Sequence, residues 1–356
     1  MKKLQDIKAN KKGQEKNCKK IGGNKMALVS TKQILEEARK KGYGVGAYNV
    51  NNMEQIQAIM DAAKETQSPV IIQASRGALK YSNFTYLGYL MKAAVIENPD
   101  IPVAMHLDHG NSLESAVKAI ELGFSSVMID GSLMEDGKTP STYDYNVKVT
   151  RSVVEYAHAR GVSVEAEIGT LGGIEDGVGS GKIHLTDSKE AEKFVGETGV
   201  DSLAIAIGTS HGAYKFKGAA NLAFDVLKEI RALIDIPIVL HGASSVPREL
   251  IDEVNKYGGK MPGATGVPMS NLQEAIKLGV SKINVDTDGR LAITAAIRKV
   301  FTETPEKFDP RDYLGPARTA LKNLIITKMK DFGTAGHAKD YVPKSLEDVK
   351  KIYISK

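Results

Sequence analysis

The sequence predicts a (β/α)8 barrel, and three observations carry that reading. Eight short apolar, β-branched runs recur between residues 45 and 285, segments with helical spacing separate them, and every run ends in polar residues. Strand–helix units in this number, spread over roughly 250–300 residues, suit a closed barrel better than an open doubly wound sheet.

The elements follow in order. Ser30 and Gln33 are spaced as a helix capping box ahead of the first run. That run, Val45 to Val50, precedes Met53, Ile56, Met60 and Ala63, which share one helix face. Val70 to Ala74 and Val103 to Leu107 come next; a helix stop at Gly123 then leads into Ser126 to Ile129. Val162 to Ile168 is followed by Asp187 and Glu190, a second capping box, and by Ser202 to Ile207. Behind Ile236 to Leu240, Pro247 occupies a first helical position, with Leu250, Ile251 and Val254 as the apolar face. Tyr257 to Pro268, rich in Gly and Pro, reads as an inserted loop. Gly279 stops the helix behind it, and Lys282 to Val285 is the eighth run. No linker divides the chain after Met26, so residues 26–356 are expected to form one barrel domain with a helical C-terminal tail.

Composition limits the function classes. With 42% hydrophobic and 26% charged residues in 356, the chain is globular, neither disordered nor fibrous. No apolar stretch approaches the ~20 residues of a membrane span, so a cytoplasmic address is expected. Cys18 is the only cysteine, which excludes internal disulfides and multi-cysteine metal sites. The net charge of +5 is local: residues 1–25 carry nine Lys against Asp6 and Glu15, leaving −2 for the rest. Residues 1–25 therefore read as a disordered lysine-rich extension, and no nucleic-acid partner is expected for the barrel.

Barrel chemistry collects at the C-terminal ends of the strands. The run ends are Asn49; Ser75 and Arg76; Asp108 and His109; Asp130; Glu167; His211; His241; and Asn284, Asp286 and Asp288. His109, His211 and His241 are three of only seven histidines, and all lie on that one rim. A catalytic zinc site uses such a trio and keeps a fourth position open. Asp130 and Glu167 supply oxygen donors for a second metal position or for orienting an imidazole, and His106 shares strand parity with Asp108. The loops Gly208 to Gly212 and His241 to Ser245 have the small residues that let backbone amides reach phosphate, with Lys215, Ser75 and Arg290 adding charge or donors. Gly169 to Gly181, with six glycines around Glu175 and Asp176, reads as a closing loop that delivers a carboxylate.

Two segments carry a specific resemblance. Val103-Ala-Met-His-Leu-Asp-His-Gly110 and Val164-Glu-Ala-Glu-Ile-Gly-Thr-Leu-Gly-Gly-Ile-Glu175 resemble the two signatures of class II, metal-dependent fructose-bisphosphate aldolases, and the likeness extends from about Met26 to Tyr341. The resemblance implies a barrel assembled as a homodimer or homotetramer that reversibly cleaves fructose 1,6-bisphosphate. It places zinc on His109, His211 and His241, with an alternative metal position bordered by Asp130 and Glu167. Asp108 matches the acid/base at the C4 hydroxyl, Glu175 the loop acid acting at C3, and Asn284 the residue that binds the enediolate. Gly212, Lys215, Gly242, Ser244, Asp286 and Thr287 match positions around the triose phosphate or a nearby monovalent cation. Ser75, Arg290 and Asp309 match positions near the other sugar end, and Asn49 joins the substrate-binding set.

Other readings remain open on the sequence alone. Tagatose-bisphosphate aldolases share the metal ligands, although Asn284-Val-Asp-Thr-Asp-Gly-Arg290 with Asp309 looks like the fructose type. A metal-dependent hydrolase would more often show His-x-His on the first strand, which here ends in Asn49. A binding or moonlighting protein would act through the basic tail. Imidazole ligands also accept cobalt, iron or manganese.

Overall fold

The structure, a computed structural model, describes residues 27–173, 183–216 and 220–355. Helix α1 (Thr31–Lys41) starts at Ser30, whose hydroxyl accepts from the Gln33 amide, and stops at left-handed Gly42. Then come β1 (Val45–Asn49), α2 (Met53–Thr66), β2 (Val70–Ser75), α3 (Arg76–Ser82), α4 (Phe84–Glu97), β3 (Val103–Gly110), α5 (Leu113–Glu121) and β4 (Ser126–Ile129). The second half runs α6 (Tyr143–His158), β5 (Ser163–Ile168), α7 (Ser188–Thr198), β6 (Ser202–Ile205), α8 (Phe224–Leu233), β7 (Ile238–Leu240), α9 (Arg248–Lys256), α10 (Met269–Lys277) and β8 (Val280–Val285). It ends in α11 (Thr287–Glu303), α12 (Pro310–Asp331) and α13 (Leu346–Ile354). The strands pair in parallel in sequence order and β8 closes on β1, which is the expected (β/α)8 barrel.

Each expected run forms one strand. Pro247 caps α9 instead of opening it, which differs from the sequence reading, and α3 follows β2 with no intervening loop. Ser75 is both the end of β2 and the cap of α3, its hydroxyl accepting from the Ala78 amide at 3.1 Å. Segment 257–268 lies between α9 and α10 and is tied to two rim loops. Thr265 exchanges backbone bonds with Ala213 and Lys215, and the Val267 amide donates to Ser244. No helix among the described residues is long and apolar enough to cross a membrane.

The main apolar core lies outside the sheet, where strand residues such as Ile72, Leu107, Val164 and Leu203 meet the surrounding helices. A second cluster closes the barrel floor: Ile34, Leu35 and Ala38 of α1 pack on Val45, Ala47, Ile71 and Ala104. Between that floor and the mouth the barrel is polar. Gln73, His106, Glu165 and Lys282 have no exposed surface, and they pair with one another or with residues at the rim.

Candidate metal centre

The site begins with backbone geometry at the end of β3. His109 is held at φ 49, a left-handed conformation that L-residues rarely adopt. Arg76 fixes it by donating Nε–H to the His109 carbonyl at 2.9 Å. The turned ring meets His241 from the end of β7, with His109 Nε2 and His241 Nδ1 2.9 Å apart. His211, from the loop after β6, completes the group, its ring centroid 5.2 Å from that of His109. That loop is pinned by the base of the glycine-rich segment, where the Gly172 carbonyl accepts from the His211 amide at 2.8 Å. Gly173 sits at φ 72 against it, and a Cβ there would stand 2.5 Å from the His211 carbonyl oxygen.

Carboxylates orient two of the rings. His109 Nδ1 lies 3.2 Å from Asp130, and His241 Nε2 lies 2.8 Å from Glu165. The other ring nitrogens, His109 Nε2 and His241 Nδ1, face each other across the common centre. Ligand atoms of the three histidines lie within 4.8 Å of one another, as do those of His109, Asp130 and Glu167. The donor set fits a divalent cation: imidazoles in front, with Asp108, Asp130, Glu165 and Glu167 around them and the ammonium of Lys282 behind.

Electrostatics agrees with that fit. Burial opposes a charge on His109, but Asp108, Asp130 and Glu167 overcome it and raise the ring to about 10. Burial together with the neighbouring His109 charge pushes His211 down to about 3 and His241 well below its ordinary value. One proton thus occupies the centre and two imidazoles stay neutral. Burial pushes the Asp108 carboxyl up, yet the charges of His109, His241 and Lys282 hold it at about 2. Asp130 is also held down, against burial, by its bond to His109. Glu167 goes the other way, driven well up by burial and by Asp130 beside it.

A cavity of about 190 Å3 opens in front of the histidines. Asn49, Ser75, Asp108, His109, His211, Gly242, Ser244, Asn284 and Asp286 line it, together with Arg76, Gly77, Lys80 and Ala243. Asp108 is clamped by Asn49 Nδ2 at 2.9 Å and Asn284 Nδ2 at 3.1 Å. Gln73 in turn donates to Asn49 Oδ1 at 2.6 Å. Asn284 Oδ1 has no hydrogen-bond partner among the described residues, which leaves a buried acceptor beside Asp108.

The small-residue loops meet at one end. Gly242 is left-handed at φ 60, and a Cβ there would lie 2.7 Å from the Ser210 carbonyl carbon. Ser244 accepts from the Asp286 amide at 3.3 Å, at the entrance to α11, where Thr287 is also buried. Lys215 is buried beside left-handed Gly212 and donates to the Ser210 carbonyl at 2.5 Å. Behind the loop, Val246 is held at φ 47 by Asp288, which accepts from the Ser245 and Val246 amides and pairs with Lys328 at 2.7 Å.

The structure leaves some expected residues outside this cavity. Arg290 grips Asp286 through Nε at 2.8 Å and Nη2 at 2.6 Å and borders a different surface hollow, beside Tyr81 and Asn51. Asp309 caps α12 and pairs with Arg311. Glu175 lies outside the described residues. Sequence reasoning missed Lys80 and the roles of Gln73, Glu165, Lys282 and Lys328. The signal available for the interior residues was a polar side chain at an inward strand position.

Comparison with known proteins agrees with the site. A family model described as class-II fructose-bisphosphate aldolase matches residues 29–337. A fructose-bisphosphate aldolase of Giardia intestinalis is 59% identical over 330 residues, covering 92% of this chain and 100% of that protein. One from Pseudomonas aeruginosa is 51% identical over 344 residues, covering 92% and 97%. Among solved structures, the YdjI aldolase from Escherichia coli K12 is 30% identical, with a TM-score of 0.71 over 88% of this chain and 100% of that one. The barrel, its metal-ready histidines and these matches agree: the chain belongs to the class II fructose-bisphosphate aldolase family of aldehyde-lyases.

Proposed function

We propose that this chain reversibly cleaves fructose 1,6-bisphosphate to dihydroxyacetone phosphate and glyceraldehyde 3-phosphate, using zinc held by His109, His211 and His241. The observation that carries the reading is the placement of clamped, anionic Asp108 in one cavity wall with His109 and His211, two of three converging imidazoles. Bound there, zinc supplies a Lewis acid for the substrate carbonyl at C2. Asp130 and Glu167 border an alternative metal position.

The protein groups supply proton transfer and orientation. Asp108 is charged at neutral pH, so during cleavage it accepts the C4 hydroxyl proton, and during condensation it returns it. A sugar filling the cavity excludes water and raises its proton affinity toward that task. Asn49 and Asn284 keep its oxygens aimed, while Asn284 Oδ1 remains to receive a substrate hydroxyl. Glu175, delivered by its loop, exchanges the proton at C3. Gly212, Lys215, Gly242, Ser244 and Thr287 bind the triose phosphate, with Asp286 beside a monovalent cation. Ser75, Arg290 and Asp309 serve the other sugar end, and Arg76 and Lys80 add cationic groups to the cavity wall beside Ser75.

We read residues 26–356 as the catalytic domain of a cytoplasmic homodimer or homotetramer in glycolysis and gluconeogenesis, and residues 1–25 as an appendage. The test pairs elemental analysis with kcat/KM for fructose and tagatose 1,6-bisphosphates. Expected are one zinc per subunit, activity abolished by a chelator, and a preference for fructose. Full activity after verified zinc removal overturns the mechanism, and parity or a tagatose preference overturns the substrate.

A further inference from the structure

The barrel interior holds a buried ion pair that the proposed chemistry does not use. Lys282 Nζ lies 3.0 Å from Glu165 Oε1 and 2.9 Å from Oε2, and neither residue has exposed surface. Glu165 Oε1 also accepts from His241 Nε2 at 2.8 Å. Below, Lys282 Nζ stands 3.5 Å from His106 Nε2, and His106 Nδ1 is 2.8 Å from Ser126 Oγ. The Thr31 hydroxyl links Ser126 to Ser163 at 2.7 and 2.8 Å. A hydrogen-bonded column thus runs from the barrel floor to one histidine of the metal centre.

Burying such a pair contributes little stability, because desolvation offsets most of the attraction, and apolar residues of similar volume often serve as well or better. Its retention calls for another role. We propose that Glu165, held in place by Lys282, is a positioning residue that locks His241 in the Nε2–H tautomer and presents a bare Nδ1 to the metal. This inference rests on the metal reading above. His241 reaches the shared centre only through Nδ1, the atom facing His109 Nε2 at 2.9 Å, so the other tautomer aims a hydrogen at the ion. Glu165 acts through His241 and touches no reacting atom.

The test uses metal-stripped full-length protein and Zn2+ competition against a chromogenic chelator. In Glu165→Leu/Lys282→Met the pair is replaced by apolar side chains and the acceptor is lost; in Glu165→Gln/Lys282→Met an uncharged acceptor remains. Expected is a loss of roughly 10–100-fold in Zn2+ affinity for the leucine variant, the usual scale for a partner behind a metal-bound histidine, and at most about threefold for the glutamine variant. The Co2+ visible spectrum should change only in the leucine variant. Wild-type affinity in the leucine variant, or an equal loss in both, overturns the proposal. Should the leucine variant not fold, 15N chemical shifts of His241 in the metal-free wild type decide: Nε2–H supports it and Nδ1–H refutes it. A wild type that binds no Zn2+ overturns the metal reading itself, an outcome distinct from a wild type that binds normally beside an unaffected leucine variant.

Discussion

Zinc uptake should expel a proton from the centre well above the pH at which histidines ordinarily titrate. His109 is raised to about 10, while His211 is lowered to about 3 and His241 well below its ordinary value, so the metal-free trio carries one proton at neutral pH. A metal ligand must be neutral, so binding displaces that proton. Three unperturbed imidazoles would together release about 0.7 proton at pH 7 and only about 0.1 at pH 8. The environment of His109 instead demands about one at both values. Apparent zinc affinity should then climb about tenfold per pH unit between pH 7 and 9. Calorimetry in two buffers of different ionisation enthalpy counts the protons directly. Asp108→Asn is the control: it removes a carboxylate charge that raises His109, so the release should shift to lower pH. The same proton stabilises the metal-free fold. Because the folded value lies above the unfolded one of 6.5, that stabilisation is complete below pH 6.5 and is lost as pH rises toward about 10. Release below about 0.3 proton at pH 8 refutes the reasoning, since a separation of this size from the ordinary value leaves His109 almost fully protonated there.

Three further outcomes follow from the geometry. Asp108→Ala should lower kcat by ~10² or more, the scale of a lost acid/base, with zinc stoichiometry unchanged; near-normal turnover would show the role misassigned. Gly242→Ala forces a Cβ to 2.7 Å from the Ser210 carbonyl carbon at φ 60, so KM for the bisphosphate should rise severalfold and Tm should fall while kcat changes less; unchanged KM and Tm would remove the loop from phosphate binding. Deleting residues 1–25 should leave kcat/KM unchanged, and a loss of cleavage activity would count against treating them as an appendage.

How much of this was legible in the sequence depends on which physical rule had to be read. The eight strands were, because β-branched runs bounded by capping residues and stop glycines leave little choice of boundary. Asp108, His109, His211 and His241 were found because parallel strands in a barrel all end on one rim, whatever their separation along the chain. The interior pairings were not. Alternation says that Glu165 and Lys282 can share the barrel lumen, but strand tilt and stagger decide which residues meet, and no local pattern records them. Lys80 was missed because α3 begins at Arg76, directly after β2, which carries a helical lysine into the cavity wall. The left-handed turn at His109 was equally invisible, since it is imposed by Arg76 from a neighbouring strand end and no glycine marks it.

The polar interior explains why the centre can be both rigid and charged. Barrels of this type usually fill the lumen with branched apolar side chains. Here the apolar burial that holds the fold lies on the helix-facing side of the sheet and at the floor, which frees the middle of the lumen for hydrogen-bonded residues. Two chains of bonds use that space. Gln73 supports Asn49 and through it Asp108, while Lys282 supports Glu165 and through it His241. Each chain starts on a buried strand and ends at a group with one defined task, so an error in side-chain angle is corrected before it reaches the cavity. An apolar lumen would stabilise the barrel at least as well and leave both end groups unsupported. On this argument the interior polarity is set by the demands of the mouth, and replacing the lumen residues should disturb metal affinity and turnover before it disturbs the barrel.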